Sequence, residues 1–127
     1  MQAFGMAQSQ VQQILERAQK LVDNEDLSGA RKAFGELHQL LPHHPMPLLS
    51  RSTCYLQEER WAAAIPDALA VLDLPDGPIE EGVAPNCSTY HAAACVRLAK
   101  AYNELKRHDD CQRMLARRTT IEENYAR

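Results

Sequence analysis

The chain has 127 residues, of which 45% are apolar and 24% charged, and its net charge is −3. That length suits one globular domain with a modest core, and with only 6% aromatic residues the core must be aliphatic and alanine-rich, which favours packed helices. No apolar stretch approaches the roughly 20 residues of a membrane span, and a pI of about 5.9 argues against a nucleic-acid binder, which concentrates basic charge on one face.

Taken in order, Ser9 and Gln12 form a capping box that predicts the start of the first helix. Asn24, Glu25 and Asp26 break the apolar pattern and supply the cap and acidic first turn of a second helix. Pro42-His43-His44-Pro45 stops that helix, and Pro45 or Pro47 suits the first turn of a third. A fourth follows through Trp61 and Ala64, where Pro66 predicts a late start or a kink. The stretch from Asp73 to Pro85, rich in proline and glycine, reads as loop. Asn86 or Ser88 opens a fifth helix, Asp109 and Asp110 a sixth, and Thr120 with Glu123 marks a short additional helix at the C-terminal end.

These elements repeat. Ala30 and Phe34 recur at a constant offset as Ala64 and Ala68, and the same offset relates Ile14 to Leu48, Ala18 to Ser52, Leu21 to Tyr55 and Leu27 to Trp61. A third copy runs through Cys95, Leu98, Ala99, Tyr102, Cys111 and Leu115. It lies further on than the same offset would place it, so a segment is inserted before it. A period of 34 with two helices per unit is the tetratricopeptide pattern. The chain resembles the tetratricopeptide-repeat family over residues 11–125, most closely from Tyr55 to Ile65. It departs from the family at Arg17 and Arg51, where leucine is usual, and at Ala68, where the residue is usually large.

The resemblance implies an all-α fold: a right-handed α-solenoid of three helix-turn-helix repeats at about 11–44, 45–78 and 92–125, with an insertion loop at 79–91. It also implies a concave groove lined by the first helix of each unit. Carried over, that groove holds Gln12, Leu15, Gln19 and Val22 in the first unit, Met46, Leu49, Thr53 and Leu56 in the second, and Ala93, Val96, Arg97, Lys100 and Asn103 in the third. One subclass of the family clamps the acidic tails of heat-shock chaperones. The matching slots here hold Leu15, Gln19, Ser50, Arg97 and Lys100, of which only the last two are charged, so that clamp is incomplete. A mixed apolar and polar groove suits an amphipathic helix or an extended peptide with apolar anchors, with Arg97 and Lys100 left to orient one acidic group.

Other chemistry finds little support. No G-x-S-x-G elbow and no glycine-rich phosphate loop is present, the five glycines being scattered. Cys87, His91 and Cys95 are spaced four apart on one helical face and could offer three ligands to zinc, but Cys95 and Cys111 also occupy slots where the repeat wants a small apolar residue. No C-x-x-C pair occurs. The four cysteines are expected to be reduced thiols, the chain to lie in the cytoplasm without a secretory signal, and its cofactor requirement to be none. Residues 1–95 carry a net charge of −6 and residues 96–127 a net charge of +3. The expectation is therefore a non-enzymatic binding module for a protein or peptide, acting as a small chaperone or adaptor. Its rivals are a structural subunit of an assembly and, more remotely, a Cys/His metal protein.

Overall fold

The structure is a computed structural model that describes residues 2–75 and 87–126, with side chains over 9–75 and 90–124. It is all-α. Six helices follow one another in the order α1 (Gln2–Asp23), α2 (Leu27–Leu40), α3 (Pro45–Gln57), α4 (Trp61–Leu72), α5 (Cys87–Glu104) and α6 (His108–Ala126), and the described residues contain no strand. Each helix packs against the next, and α3 also packs against α5.

Some of the positions related by the sequence offset are alike in burial. Ala18, Ser52 and Ala99 share one slot and are all buried, as are Ala30, Ala64 and Cys111 in another. Small residues at such slots let helix axes approach closely. Ser52 keeps its hydroxyl satisfied by donating to the Ala64 carbonyl at 2.8 Å, which removes the cost of a polar group in the core.

The turns within the three helix pairs are also alike. Glu25, Glu59 and Lys106 all adopt left-handed backbone, with φ of 61°, 60° and 64°. In each, the next residue's N–H reaches back five positions: Asp26 to Leu21, Arg60 to Tyr55 and Arg107 to Tyr102, at 2.8–2.9 Å. This is the Schellman closure, made here without glycine. The residue that ends each turn then carries the first helical acceptor, so Ala30, Ala64 and Cys111 donate to the carbonyls of Asp26, Arg60 and Arg107. Two of these turns share a further contact: Arg60 lies over the Tyr55 ring and Arg107 over the Tyr102 ring, at 5.1 and 4.7 Å.

The two arginines that depart from the repeat pattern have a structural role. Arg17 of α1 pairs with Glu36 of α2, and Arg51 of α3 makes a two-pronged pair with Asp67 of α4 at 2.7 Å for each prong. Each therefore ties a first helix to the second helix of its own pair. The third copy uses Leu98, 1% exposed, at the same slot.

Two apolar clusters form the core. One gathers Ala18, Ala30, Ala33, Phe34, Leu37 and Cys54, and the other gathers Leu48, Leu49, Ala68, Val71, Ala94, Leu98, Ala99, Tyr102 and Cys111. Helix α3 contributes to both, which makes it the shared wall of the molecule.

Several expected boundaries shift. Helix α1 begins at Gln2, so Ser9 lies within it and is not its cap. Pro66 neither delays nor ends α4, which starts at Trp61 and carries the proline within its length. Of the expected insertion loop at 79–91, residues 87–91 belong to α5, which begins at Cys87; residues 79–86 lie outside the described residues. No separate C-terminal helix forms. Helix α6 runs unbroken to Ala126, and Thr120 donates to the Ala116 carbonyl of the preceding turn instead of capping a new start. Two expected starts are kept: Asp26 accepts from the Gly29 N–H at 3.0 Å, and Pro45 occupies the first turn of α3 behind a capping His44; Asn86, expected to open the fifth helix, lies outside the described residues.

Candidate functional site

A cleft of about 440 Å³ opens between α1, α2, α3 and α5. Its apolar walls are Val22 from α1, Phe34 from α2, Met46, Leu49 and Cys54 from α3, and Tyr90 and Ala93 from α5. Gln19, Ser50, Thr53, Gln57 and Arg97 complete the lining. A second opening beside the α1–α2 turn shares Val22 and Gln57 with the cleft and adds Glu25 and Leu27.

Helix periodicity sets these positions. On α3, Met46, Leu49, Ser50, Thr53 and Gln57 advance mostly by three or four positions and fall on one face. Ala93 and Arg97 share the facing side of α5, with Tyr90 one turn earlier. Tyr90 is held edge-on against His44, with ring centroids 5.8 Å apart. His44 is itself fixed, because its Nδ1 caps α3 by accepting from the Met46 N–H at 3.1 Å.

Arg97 is the one charged residue of the lining among the described residues. Its Nε donates to Thr53 Oγ1 at 2.7 Å and its Nη1 to the Ala93 carbonyl at 3.0 Å. Thr53 in turn donates to the Leu49 carbonyl at 2.9 Å. Burial pushes the Arg97 guanidinium below its ordinary pKa, whereas Arg31 and Arg51 are held above it, chiefly by their hydrogen bonds to Glu58 and Asp67.

Seven of the thirteen residues expected in the groove meet in this cleft: Gln19, Val22, Met46, Leu49, Thr53, Ala93 and Arg97. The other six do not line it. Gln12 is exposed on α1, where its amide donates to Glu16 at 3.0 Å. Leu15 packs against the first apolar cluster. Leu56 is half-buried outside the cleft, while Val96 and Asn103 are exposed. Lys100 is drawn away: its Nζ pairs with Glu104 at 2.9 Å and lies over the Trp61 ring at 5.5 Å. Phe34, Cys54, Gln57 and Tyr90 were not anticipated. Phe34 comes from a second helix, and Tyr90 belongs to the inserted stretch that lengthens α5.

Of the Cys/His face, the described members His91 and Cys95 are both engaged in the core. His91 is buried, and its Nε2 donates to the Leu74 carbonyl at 3.0 Å. Cys95 is fully buried in a core slot, and the side chain of Cys87 lies outside the described residues. Among the described residues no group of three His, Cys, Asp or Glu is placed to hold a metal ion. Cys54, Cys95 and Cys111 are free, buried thiols. Burial pushes the pKa of Cys54 and Cys95 up, as for small core hydrophobes. No described helix is long and apolar enough to cross a membrane.

No protein-family model matches the chain, and no curated protein matches its sequence.

Proposed function

We propose that the chain is a non-enzymatic protein-interaction module of tetratricopeptide-repeat type: three units stacked as a right-handed solenoid, working in the cytoplasm as a small chaperone or adaptor. In this reading a helix or extended segment of a partner protein lies in the cleft against α3. The observation that carries it is the cleft itself. A depression of about 440 Å³ has the size of a ligand site, and apolar walls from four helices with a few polar groups between them suit a peptide that offers apolar anchors. The repeat reading is supported by the shared sequence offsets, which recur in burial and in the three left-handed turns.

The test plugs the cleft without disturbing the core. Leu49 is 6% exposed and part of the second cluster, so a charge there would unfold the chain. Ser50 is half-buried at the wall, and Ser50→Trp fills the space. Affinity capture with quantitative mass spectrometry should find a polypeptide that wild type retains and Ser50→Trp loses, with unchanged helical circular dichroism. An identical set of retained polypeptides for both proteins would refute the reading.

A second reading, a subunit of a larger assembly, is favoured by α6. Leu115 is 38% exposed, although Phe34 and Ala68 at the same repeat slot are buried. An open flank of this kind suits a further protein layer.

A further inference from the structure

We propose that the cleft selects a through-running peptide segment in which an acidic side chain sits close to an aliphatic one, the carboxylate meeting Arg97 and the aliphatic group filling the space beside Val22, Phe34 and Leu49. The inference rests on the peptide-binding reading above and specifies its ligand.

Three arginines, Arg31, Arg51 and Arg97, are each partly buried. Arg31 is met by Glu58, at 2.6 and 3.2 Å, and Arg51 by Asp67. Arg97 has no carboxylate partner among the described residues: its hydrogen bonds go to a hydroxyl and a backbone carbonyl. A guanidinium carries five N–H donors, so most of its donor capacity remains for a ligand. Holding a half-desolvated cation without a counter-charge is costly, and an incoming carboxylate would remove that cost through a short, charge-assisted bond.

The guanidinium is also pinned in place. Thr53 gives its proton to the Leu49 carbonyl, so its oxygen is free to accept from Arg97. This links α5 to α3 and fixes the charge at the cleft wall before any ligand arrives. A donor positioned in advance binds with less ordering cost.

Charge matching sets the composition of the occupant. Among the described residues the cleft lining holds one cation and no acid, Glu25 standing only at the adjoining opening, and Lys100 is neutralised by Glu104 outside the cleft. One carboxylate is therefore the complement, with an aliphatic neighbour for the apolar walls. A second opening shares Val22 and Gln57 with the cleft and adds Glu25 and Leu27, so the cleft has open space at its flank. That favours a segment passing through, whose carboxylate is a side chain, over a chain end that stops at Arg97.

The experiment is a display selection with a random library of short peptides, embedded between carrier sequences so that no free terminus is offered. Targets are the full chain as wild type, Arg97→Gln, Arg97→Lys and Ser50→Trp. Wild type should enrich Asp or Glu within about one helical turn of an aliphatic residue. Enriched peptides with the acid changed to its amide should bind wild type about tenfold or more weakly, the scale of a hydrogen bond to a charged group. The same change should make no difference with Arg97→Gln, and Arg97→Lys should recover part of the preference. The amide comparison on wild type needs no protein variant, so it decides even if Arg97→Gln fails to fold. Enrichment of aliphatic residues without an acid, or an acid preference that survives Arg97→Gln, overturns the anchor while leaving peptide binding intact. No enrichment, or enrichment that Ser50→Trp leaves unchanged, overturns the peptide-binding reading itself.

Discussion

Helices α2 and α6 each follow a short turn of the same geometry, but they differ in what covers them. Helix α2 buries Ala30, Ala33, Phe34 and Leu37, because α1 closes one side and α3 the other. Helix α6 packs against α5 alone among the described helices, and beyond Cys111 its described residues are half-buried only at Met114 and Ile121 and otherwise exposed. The slot filled by Phe34 in α2 and Leu115 in α6 thus carries an apolar side chain in both but a buried one only in α2. A helical pattern states which face can be covered; the following unit supplies the cover. Helix α2 has a packed neighbour on each side and α6 has one among the described helices, so the two differ in cover.

The largest expected effect tests this contrast directly. Phe34→Ala should lower the unfolding free energy by about 3–5 kcal/mol, while Leu115→Ala, already exposed, should cost less than about 1 kcal/mol. Urea titrations at two protein concentrations measure both. A large, concentration-dependent loss for Leu115→Ala would mean that α6 is covered in solution by another copy of the chain.

The next effect compares two ion pairs at the same repeat slot. Asp67 is 11% and Arg51 28% exposed, whereas Arg17 and Glu36 are both more than half exposed. Asp67→Ala should therefore cost about 2–3 kcal/mol by leaving Arg51 partly buried and unpaired. Glu36→Ala should cost less than about 1 kcal/mol. Double-mutant cycles separate the pairs, and equal coupling energies would show that burial does not distinguish them.

Smaller gains are expected at the turns. Left-handed backbone costs an L-residue roughly 1–2 kcal/mol, and glycine escapes that penalty. Glu25→Gly, Glu59→Gly and Lys106→Gly should each raise stability by up to about 1 kcal/mol, read as a shift in the urea midpoint. Lys106→Gly also sharpens the comparison, since it acts in the pair with the least support on its outer side.

The smallest effect is a pH dependence. Burial raises the pKa of Cys54 and Cys95, so the folded chain keeps these protons longer than the unfolded one. Well below the ordinary thiol pKa both states hold them and stability is unaffected. Above about 8.5, where an unfolded thiol ionises, the unfolded state releases protons first and stability falls as pH rises. Replacing both cysteines with alanine should flatten that decline in urea titrations run from neutral to alkaline pH.

The helix pattern was legible because its signals are local. Pro45 behind His44, Asp26 three positions before Gly29, and the paired acids Asp109 and Asp110 all mark starts that the structure keeps. Ser9 misled because a capping residue inside a helix looks the same as one at its start, and the residues before it continue the helix. The left-handed turns were hidden for the opposite reason: Glu25, Glu59 and Lys106 are residues that do not advertise such backbone. The cleft was half legible. Side chains on α3 follow from helical spacing, so Leu49 and Thr53 could be placed. Lys100 could not, because its position depends on Trp61 and Glu104 drawing it aside, and Tyr90 depended on how far α5 extends into the inserted stretch.

The three matching turns bear on how this chain tolerates change in length. The joints at Glu25 and Glu59 lie closer together in sequence than those at Glu59 and Lys106, yet the φ values at all three agree within a few degrees. Spacing and joint geometry are thus decoupled: extra residues are absorbed between the hinges, and the hinges themselves are left alone. A scaffold of this kind can grow or shrink between its knuckles, and an engineer seeking to lengthen it would cut there.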